Sequence, residues 1–204
     1  MYNFAARMKI LLATNNRHKV SEIAAILSDE GLELLSLDDF PGSKPVVEDG
    51  RTLTENAVKK AVTPALEHGV WALADDTGLE VAGLAGGPGV HSARYAGPEC
   101  DFAANCRKLL ETLRGRGSSE RKAVFRCVVA LSSPQGVVRV AEGRLEGEIC
   151  EAGSGDNGFG YDPVFYIPSA KKTLAELSVS EKNRLSHRAR ALQAILPVLK
   201  GIPA

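Results

Sequence analysis

No pair of cysteines in this 204-residue sequence has the spacing of a metal finger or a disulfide framework. Cys100, Cys106, Cys127 and Cys150 form no CxxC, and His18, His68, His91 and His187 form no HxxxH or HExxH. A zinc site and a disulfide-stapled fold are therefore not expected. Charge of one sign is also lacking: Lys plus Arg number 25 and Asp plus Glu number 25, so the formal net charge is zero. Duplex-binding proteins normally carry a basic surplus, and no basic stripe with interleaved aromatics offers a single-strand platform. Nucleic acid is thus not an expected partner, although one local basic pocket can still take a small anion. No run approaches 18 apolar residues, so no membrane-spanning helix is expected. The opening "MYNFAARMKILLATNN" has too short an apolar core for a signal peptide. The cytoplasm is the expected location, and residues 1–7 read as an N-terminal extension before a start at Met8.

What is present is a globular composition, 44% hydrophobic and 25% charged, long enough to bury a substantial core. "MKILLAT" (8–14) reads as a strand. A helical pattern follows, with Val20, Ile23, Ala24 and Leu27 at i, i+3, i+4 and i+7. "LELLSL" (32–37) reads as a second strand. "TLTENAVKKAVTPALEHG" (52–69) reads as a helix kinked near Pro64 and closed by Gly69, and "VWALAD" (70–75) as a third strand. This β-α-β-α-β order implies parallel pairing with helices against the sheet. Residues 83–99, rich in glycine and proline, read as loop, and 101–115 as an amphipathic helix with Phe102, Cys106, Leu109 and Leu113 on one face. "RKAVFRCVVALSS" and "VVRVAEGRLEGEIC", joined by "PQG", suggest an antiparallel hairpin. A second glycine-rich loop, "GSGDNGFGYDP", precedes the strand "VFYI". The tail carries a helix with Ser186 as N-cap and Leu192, Ile195, Leu196 and Leu199 as its buried stripe. The expected fold class is α/β: a mixed, twisted central sheet with flanking helices, in one domain over residues 8–200 with two lobes around a cleft.

Four stretches have the residue types of a chemical site. "TNNRHK" (14–19) lies between a strand and a helix, where backbone N–H groups and the helix dipole favour an anion. Lys19 adds charge there, and Asn15 or Asn16 can cap the helix or meet a phosphate; an ordinary capped helix start is the competing reading. The adjacent carboxylates Asp75 and Asp76 admit an Asx-type turn, a divalent-metal site, or an aspartyl nucleophile. The third is disfavoured, because the DxDxT phosphatase pattern separates its aspartates. Successive strand residues point to opposite sides, so one carboxylate can face a pocket while the other braces the loop. Glu48 and Asp49 in "VVEDG" supply further carboxylates on a nearby loop. "GFGYDP" (158–163) can lay an aromatic ring against a planar base, or can be a β-turn with a packed ring. In "SEKNRLSHRARAL" (180–192), Lys182, His187 and Arg188 share no face of a continuous helix, but a new helix starting at Ser186 lets them converge on an anion. A solvated basic stretch is the alternative. Together these are the parts of a nucleotide site.

The pieces "TNNRHK", "TENAVKKA", "ADDTGLEV", "GGPGVHSARYAG", "GFGYDPVF" and "SHRARAL", in this order over roughly residues 8–196, resemble the inosine-triphosphate pyrophosphatase family. One departure is Thr77, where many bacterial relatives have serine. The resemblance implies hydrolysis of non-standard purine nucleoside triphosphates (ITP, dITP, XTP) to monophosphate and pyrophosphate, with Mg2+ as cofactor and a homodimer as the assembly. It implies that Thr14, Asn15, Asn16, Arg17, His18 and Lys19 hold the triphosphate. Asp76 would be the essential carboxylate, as Mg2+ ligand or base. Glu48 would assist the metal, and Asp75 would support it or supply a further ligand. Thr77 would contact substrate, Phe159, Gly160, Tyr161, Asp162 and Lys182 would bind the nucleotide, and His187 and Arg188 would read the base. A different Mg2+-dependent nucleotide phosphohydrolase and a non-catalytic nucleotide sensor are the alternatives.

Overall fold

The computed structural model describes residues 8–202; the expected extension over residues 1–7 lies outside them. In chain order the strands are β1 (Lys9–Leu12), β2 (Glu33–Ser36), β3 (Trp71–Val81), β4 (Pro88–Gly89), β5 (Lys122–Ser132), β6 (Val138–Ile149), β7 (Phe165–Ile167) and β8 (Lys172–Thr173). The helices are α1 (Arg17–Leu27), α2 (Leu53–His68), α3 (Phe102–Thr112), α4 (Ser118–Arg121), α5 (Val179–Leu185) and α6 (His187–Lys200). The fold is α/β with a mixed sheet in the order β2-β1-β3-β5-β6-β7-β8, and β4 pairs with β3. The residues fall into two compact units. The first comprises the described residues up to Asp76, Val128–Gly143 and those from Arg188 onward; the second comprises Thr77–Cys127 and Arg144–His187.

In the first unit the β-α-β-α-β order takes its expected form. β1 pairs in parallel with β2 (Ile10 opposite Leu34) and with β3 (Leu11 opposite Ala72). Ile10, Leu11 and Leu12 are essentially inaccessible, as expected of a central parallel strand covered on both faces. Asn16 caps α1 by accepting the His18 and Lys19 backbone N–H groups at 3.0 and 3.3 Å, and the helix buries Ile23 and Leu27. Thr52 caps α2 by accepting the Glu55 N–H at 3.1 Å, and Gly69 closes it in the left-handed conformation at φ 66°. The helix continues for one turn past Pro64, which lies inside it and is buried. α6 starts at His187, as a helix capped at Ser186 would, and buries Leu192, Ile195 and Leu199.

In the second unit, Leu79 and Glu80 of β3 pair with β4 in antiparallel register, opposite Gly89 and Pro88. The expected strand ended at Asp75, whereas β3 runs on to Val81. The carboxylates are therefore mid-strand: Asp-Asp-Thr-Gly reads locally as a turn, but ladder pairing with a distant segment keeps it extended. β5 and β6 are neighbours, and their short connection, which belongs to the first unit, has the Ser133 N–H donating to the Val137 carbonyl at 2.9 Å, so they form the expected hairpin. Around them Leu79, Leu109, Leu113, Phe125 and Phe165 make one apolar cluster. Leu113 is fully buried in it, and Leu113→Ala is expected to cost about 2–5 kcal/mol by the transfer and cavity terms. Denaturant unfolding measures this cost as a lower midpoint at unchanged slope.

Candidate functional site

Each unit carries its own cluster of polar side chains. The first unit's cluster centres on the two aspartates, which the pleat sends to different partners. Asp75 is 1% exposed. Its Oδ2 accepts hydrogen bonds from Arg188 Nη2 at 3.0 Å and Nε at 3.3 Å, and forms an ion pair with Lys19 Nζ at 3.1 Å. Lys19 also reaches the Asp75 carbonyl at 3.4 Å, and Arg188 Nη1 donates to Glu22. Burial alone would push the Asp75 carboxyl up, but the charges of Lys19, Arg188 and Lys60 outweigh it and hold the group well below the usual carboxylate range.

Asp76 faces α2. Its Oδ1 accepts from Lys60 Nζ at 3.0 Å and its Oδ2 from Asn56 Nδ2 at 3.2 Å. The same Lys60 ammonium donates to Glu48 Oε2 at 2.8 Å, so two carboxylates converge on one cation. Burial pushes the Asp76 carboxyl up further than Lys60 and Lys19 pull it down, and Glu48 adds to the rise. At Glu48 burial acts upward too, but Lys60 outweighs it and keeps that carboxyl low. Burial would lower Lys60, yet Asp76, Asp75 and Glu48 together raise it and keep the ammonium charged. The pair thus divides its labour. Glu48 holds its charge, and Asp76 takes a proton more readily.

Of the stretch 14–19, Thr14 Oγ1 accepts the Asn16 N–H at 3.2 Å, Asn16 caps α1, and Lys19 joins the aspartate cluster. Asn15, Arg17 and His18 are exposed. The capped helix start is therefore real, and it presents Lys19 beside Asp75. Asp49, close to Glu48 in sequence, forms an exposed pair with Lys59 at 2.6 Å.

The second unit's cluster is built on residues 158–162. The buried Asp162 carboxylate accepts from the Phe159 N–H at 2.8 Å and from Lys182 Nζ at 2.5 Å. The Lys182 ammonium lies 5.1 Å from the Phe159 ring centroid, close enough for a cation–π contact. Phe102 tilts against the same ring at 5.7 Å. Gly158 has φ +78°, and an added Cβ there would run into Asp162 Oδ2 and lie 2.9 Å from Lys182 Nζ, so this position is open only to glycine. The Gly160 carbonyl accepts from the Cys106 thiol at 3.2 Å. Burial and the Asp162 charge push that thiol up to about 11, which makes it a poor nucleophile at neutral pH. The Tyr161 hydroxyl donates to the Ser92 carbonyl at 2.8 Å, and Ser92 Oγ in turn accepts the Leu79 N–H at 2.8 Å. The "HSAR" stretch thereby ties the glycine loop to β3. Thr77 is half-buried at the start of this unit, and His187 stacks on Phe125 at 4.5 Å.

Lys182, His187 and Arg188 are all buried, which rules out a solvated basic stretch. Lys182 meets Asp162, His187 stacks on Phe125, and Arg188 meets Asp75 and Glu22. Sequence reasoning missed Asn56, Lys60 and Glu22. The signal for the first two was present, because the buried face of α2 runs Leu53, Asn56, Ala57, Lys60, Ala61, Pro64 and Ala65. A polar residue on such a stripe needs a buried partner. Among the described residues no three His, Cys, Asp or Glu side chains are grouped as a metal cage; the acidic donors come as a pair.

The model of the Ham1 family matches residues 10–198. A dITP/XTP pyrophosphatase from Desulforamulus reducens is 49% identical over 195 residues, covering 96% of this chain and 97% of its own. Another of that name from Clostridium perfringens is 48% identical over 200 residues, covering 95% and 98%. The solved structure of a HAM1 protein from Coxiella burnetii aligns with a TM-score of 0.86 at 41% identity, covering 96% of this chain and 100% of that one. A solved nucleoside-triphosphatase / dITP/XTP pyrophosphatase from Mycobacterium abscessus gives 0.75 at 43% identity, covering 93% and 100%. With the match spanning both polar clusters and nearly every strand and helix between them, this chain belongs to the Ham1 family.

Proposed function

We propose that this protein hydrolyses non-standard purine nucleoside triphosphates (dITP, XTP and ITP) at the α–β phosphoanhydride, releasing the monophosphate and pyrophosphate. The relatives named dITP/XTP pyrophosphatase align over almost the whole chain, and that supports the substrate class. The observation that carries the chemistry is the pair of carboxylates, Asp76 and Glu48, facing each other across Lys60 Nζ at 3.0 and 2.8 Å.

Two carboxylates of this kind fit Mg2+, which prefers oxygen donors and usually takes one or two carboxylates while leaving positions for water and substrate phosphates. Glu48 and Asp76 are the proposed holders, with Asp75 supporting them from the ion pairs it makes with Lys19 and Arg188. Bound there, the cation would offset the charge developing on the leaving pyrophosphate. Asp76 would orient the attacking water, as metal holder or as the base that accepts its proton. Lys60 bridges the two carboxylates and offsets part of their charge. Lys19 and the α1 start, from Thr14 to His18, meet the phosphates. In the second unit Phe159 offers a ring face to the base, with Lys182 fixed beside it by Asp162. Thr77, Gly160, Tyr161, His187 and Arg188 complete the proposed contacts with the nucleotide. Preference for a 6-oxopurine requires donors facing that oxygen, and discrimination against guanine requires that its 2-amino group go unmatched. A homodimer and a cytoplasmic location belong to the same proposal.

The test is pyrophosphate release with Mg2+ from dITP, XTP, ITP, GTP and ATP in parallel. The first three are expected to exceed ATP and GTP in kcat/KM by about 100-fold or more, the scale reached when a mismatched polar group is left unpaired. Equal turnover of ATP and ITP would overturn the specificity, and nucleotide binding without turnover would make the protein a sensor.

A further inference from the structure

Asn56 is 1% exposed on the apolar face of α2, where its amide is used at both ends. Its Nδ2 donates to Asp76 Oδ2 at 3.2 Å, and its Oδ1 accepts the Gly50 backbone N–H at 2.8 Å. Gly50 lies two residues beyond Glu48. The next two residues of that loop are also fixed by the first turn of α2: Arg51 N–H donates to Glu55 Oε2 at 2.6 Å, and Thr52 is the cap. Gly50 approaches the helix so closely that an added Cβ would lie 2.6 Å from Asn56 Oδ1 and 2.8 Å from Glu55 Cβ. One side chain therefore links the loop that carries Glu48 to the carboxylate of Asp76. It does so through the Asp76 oxygen that Lys60 leaves, since Lys60 holds Oδ1.

We propose that Asn56, with Gly50 as its fitted partner, is the positioning residue that sets the spacing and orientation of the Glu48–Asp76 pair. Orientation of a carboxylate needs both oxygens defined. Lys60 defines one, and it is a flexible ammonium that both carboxylates share. Asn56 defines the other through a planar amide whose second end is anchored to backbone. An apolar residue at position 56 would fill the helix stripe equally well, so packing does not explain an asparagine. The two hydrogen bonds do.

This inference rests on the proposed function, and the experiment separates the two. Wild type, Asn56→Ala, Asn56→Asp and Gly50→Ala are compared for pyrophosphate release from ITP and for the Mg2+ concentration that half-saturates the Mg2+-induced rise in Tm, read without nucleotide. Asn56→Asp keeps the acceptor for Gly50 and loses the donor to Asp76; Gly50→Ala keeps Asn56 and displaces the loop. Loss of such a supporting contact typically costs 10–100-fold in metal affinity or activity. Each variant is accordingly expected to lower kcat by about 10–100-fold with KM for ITP little changed, and Asn56→Ala and Gly50→Ala to raise the half-saturating Mg2+ about 10-fold. A lower Tm with kcat and half-saturating Mg2+ both as in wild type would reduce Asn56 to a packing residue and overturn the proposal. So would the absence of any Mg2+ effect on the Tm of the wild type. Wild type that releases no pyrophosphate would overturn the proposed function instead, and the Mg2+ titration would still decide the role of Asn56. Should Asn56→Ala fail to fold, Gly50→Ala decides the role of Asn56 by the same two readouts and Asn56→Asp decides it by kcat.

Discussion

Asp76→Asn is expected to lower pyrophosphate release by about 10³-fold, the middle of the range for removing a general base, while leaving the fold as stable as before. The stability half follows from the sign of the proton affinity. A carboxyl whose folded value is raised costs stability when it ionises, from its unfolded value of about 3.9 upward through the folded one. At neutral pH the Asp76 charge is therefore a cost, and an amide of the same shape removes it. Asn56 keeps a side-chain oxygen to donate to, and Lys60 keeps Glu48. The two readouts should separate cleanly: kcat collapses while the Tm stays within about 4 °C, equivalent to about 1 kcal/mol in a chain of this size. A strained or destabilised site of this kind is a common counterpart of function. Near-normal kcat in this variant would show that another group activates the water.

Arg188→Ala should do the opposite to stability. Arg188 is 1% exposed and supplies two hydrogen bonds to Asp75 Oδ2, at 3.0 and 3.3 Å, besides one to Glu22. Truncation leaves Asp75 buried with Lys19 as its main counter-charge. Removing one partner of a buried pair costs about 3–5 kcal/mol, which corresponds to roughly 10 °C in Tm. The pH dependence provides a second reading. Because Asp75 is held below its ordinary value, its contribution is fully present above an unfolded pKa of about 3.9 and is lost as pH falls below that. Wild type is thus expected to lose stability more steeply below about pH 4 than Asp75→Asn does. In a double-mutant cycle, Asp75→Asn with Arg188→Ala should fall short of the summed single losses by about 1–3 kcal/mol. Additivity would mean that the pair does not act as a unit.

These two residues also show what the sequence could and could not convey. The β-α-β-α-β order was readable because apolar spacing and caps are local: Ile23 and Leu27 on α1, Thr52 and Gly69 at the ends of α2. The extension of β3 through Asp75 and Asp76 to Val81 was not, because it depends on distant segments: β5 alongside, and Pro88–Gly89 opposite Leu79 and Glu80. The short helix α5 went unread although Ser178 and Glu181 form a capping box, each satisfying the other's backbone N–H. At the candidate site, the residue types were visible and their partnerships were not. Arg188 was expected to converge with Lys182 and His187 on an anion, and only the fold shows its hydrogen bonds to Asp75 and Glu22. Lys60 and Asn56 sat in the "TENAVKKA" stretch without a role. The two polar residues on the buried face of α2 are those that touch Asp76.

The central claim is that the bond broken lies between the α and β phosphates. The most direct test follows the reaction of the wild-type protein with ITP and Mg2+ by phosphorus NMR, resolving every product from the first turnovers. The account predicts inosine monophosphate and pyrophosphate in equal amounts from the start, with no diphosphate at any time. Orthophosphate together with inosine diphosphate would contradict it.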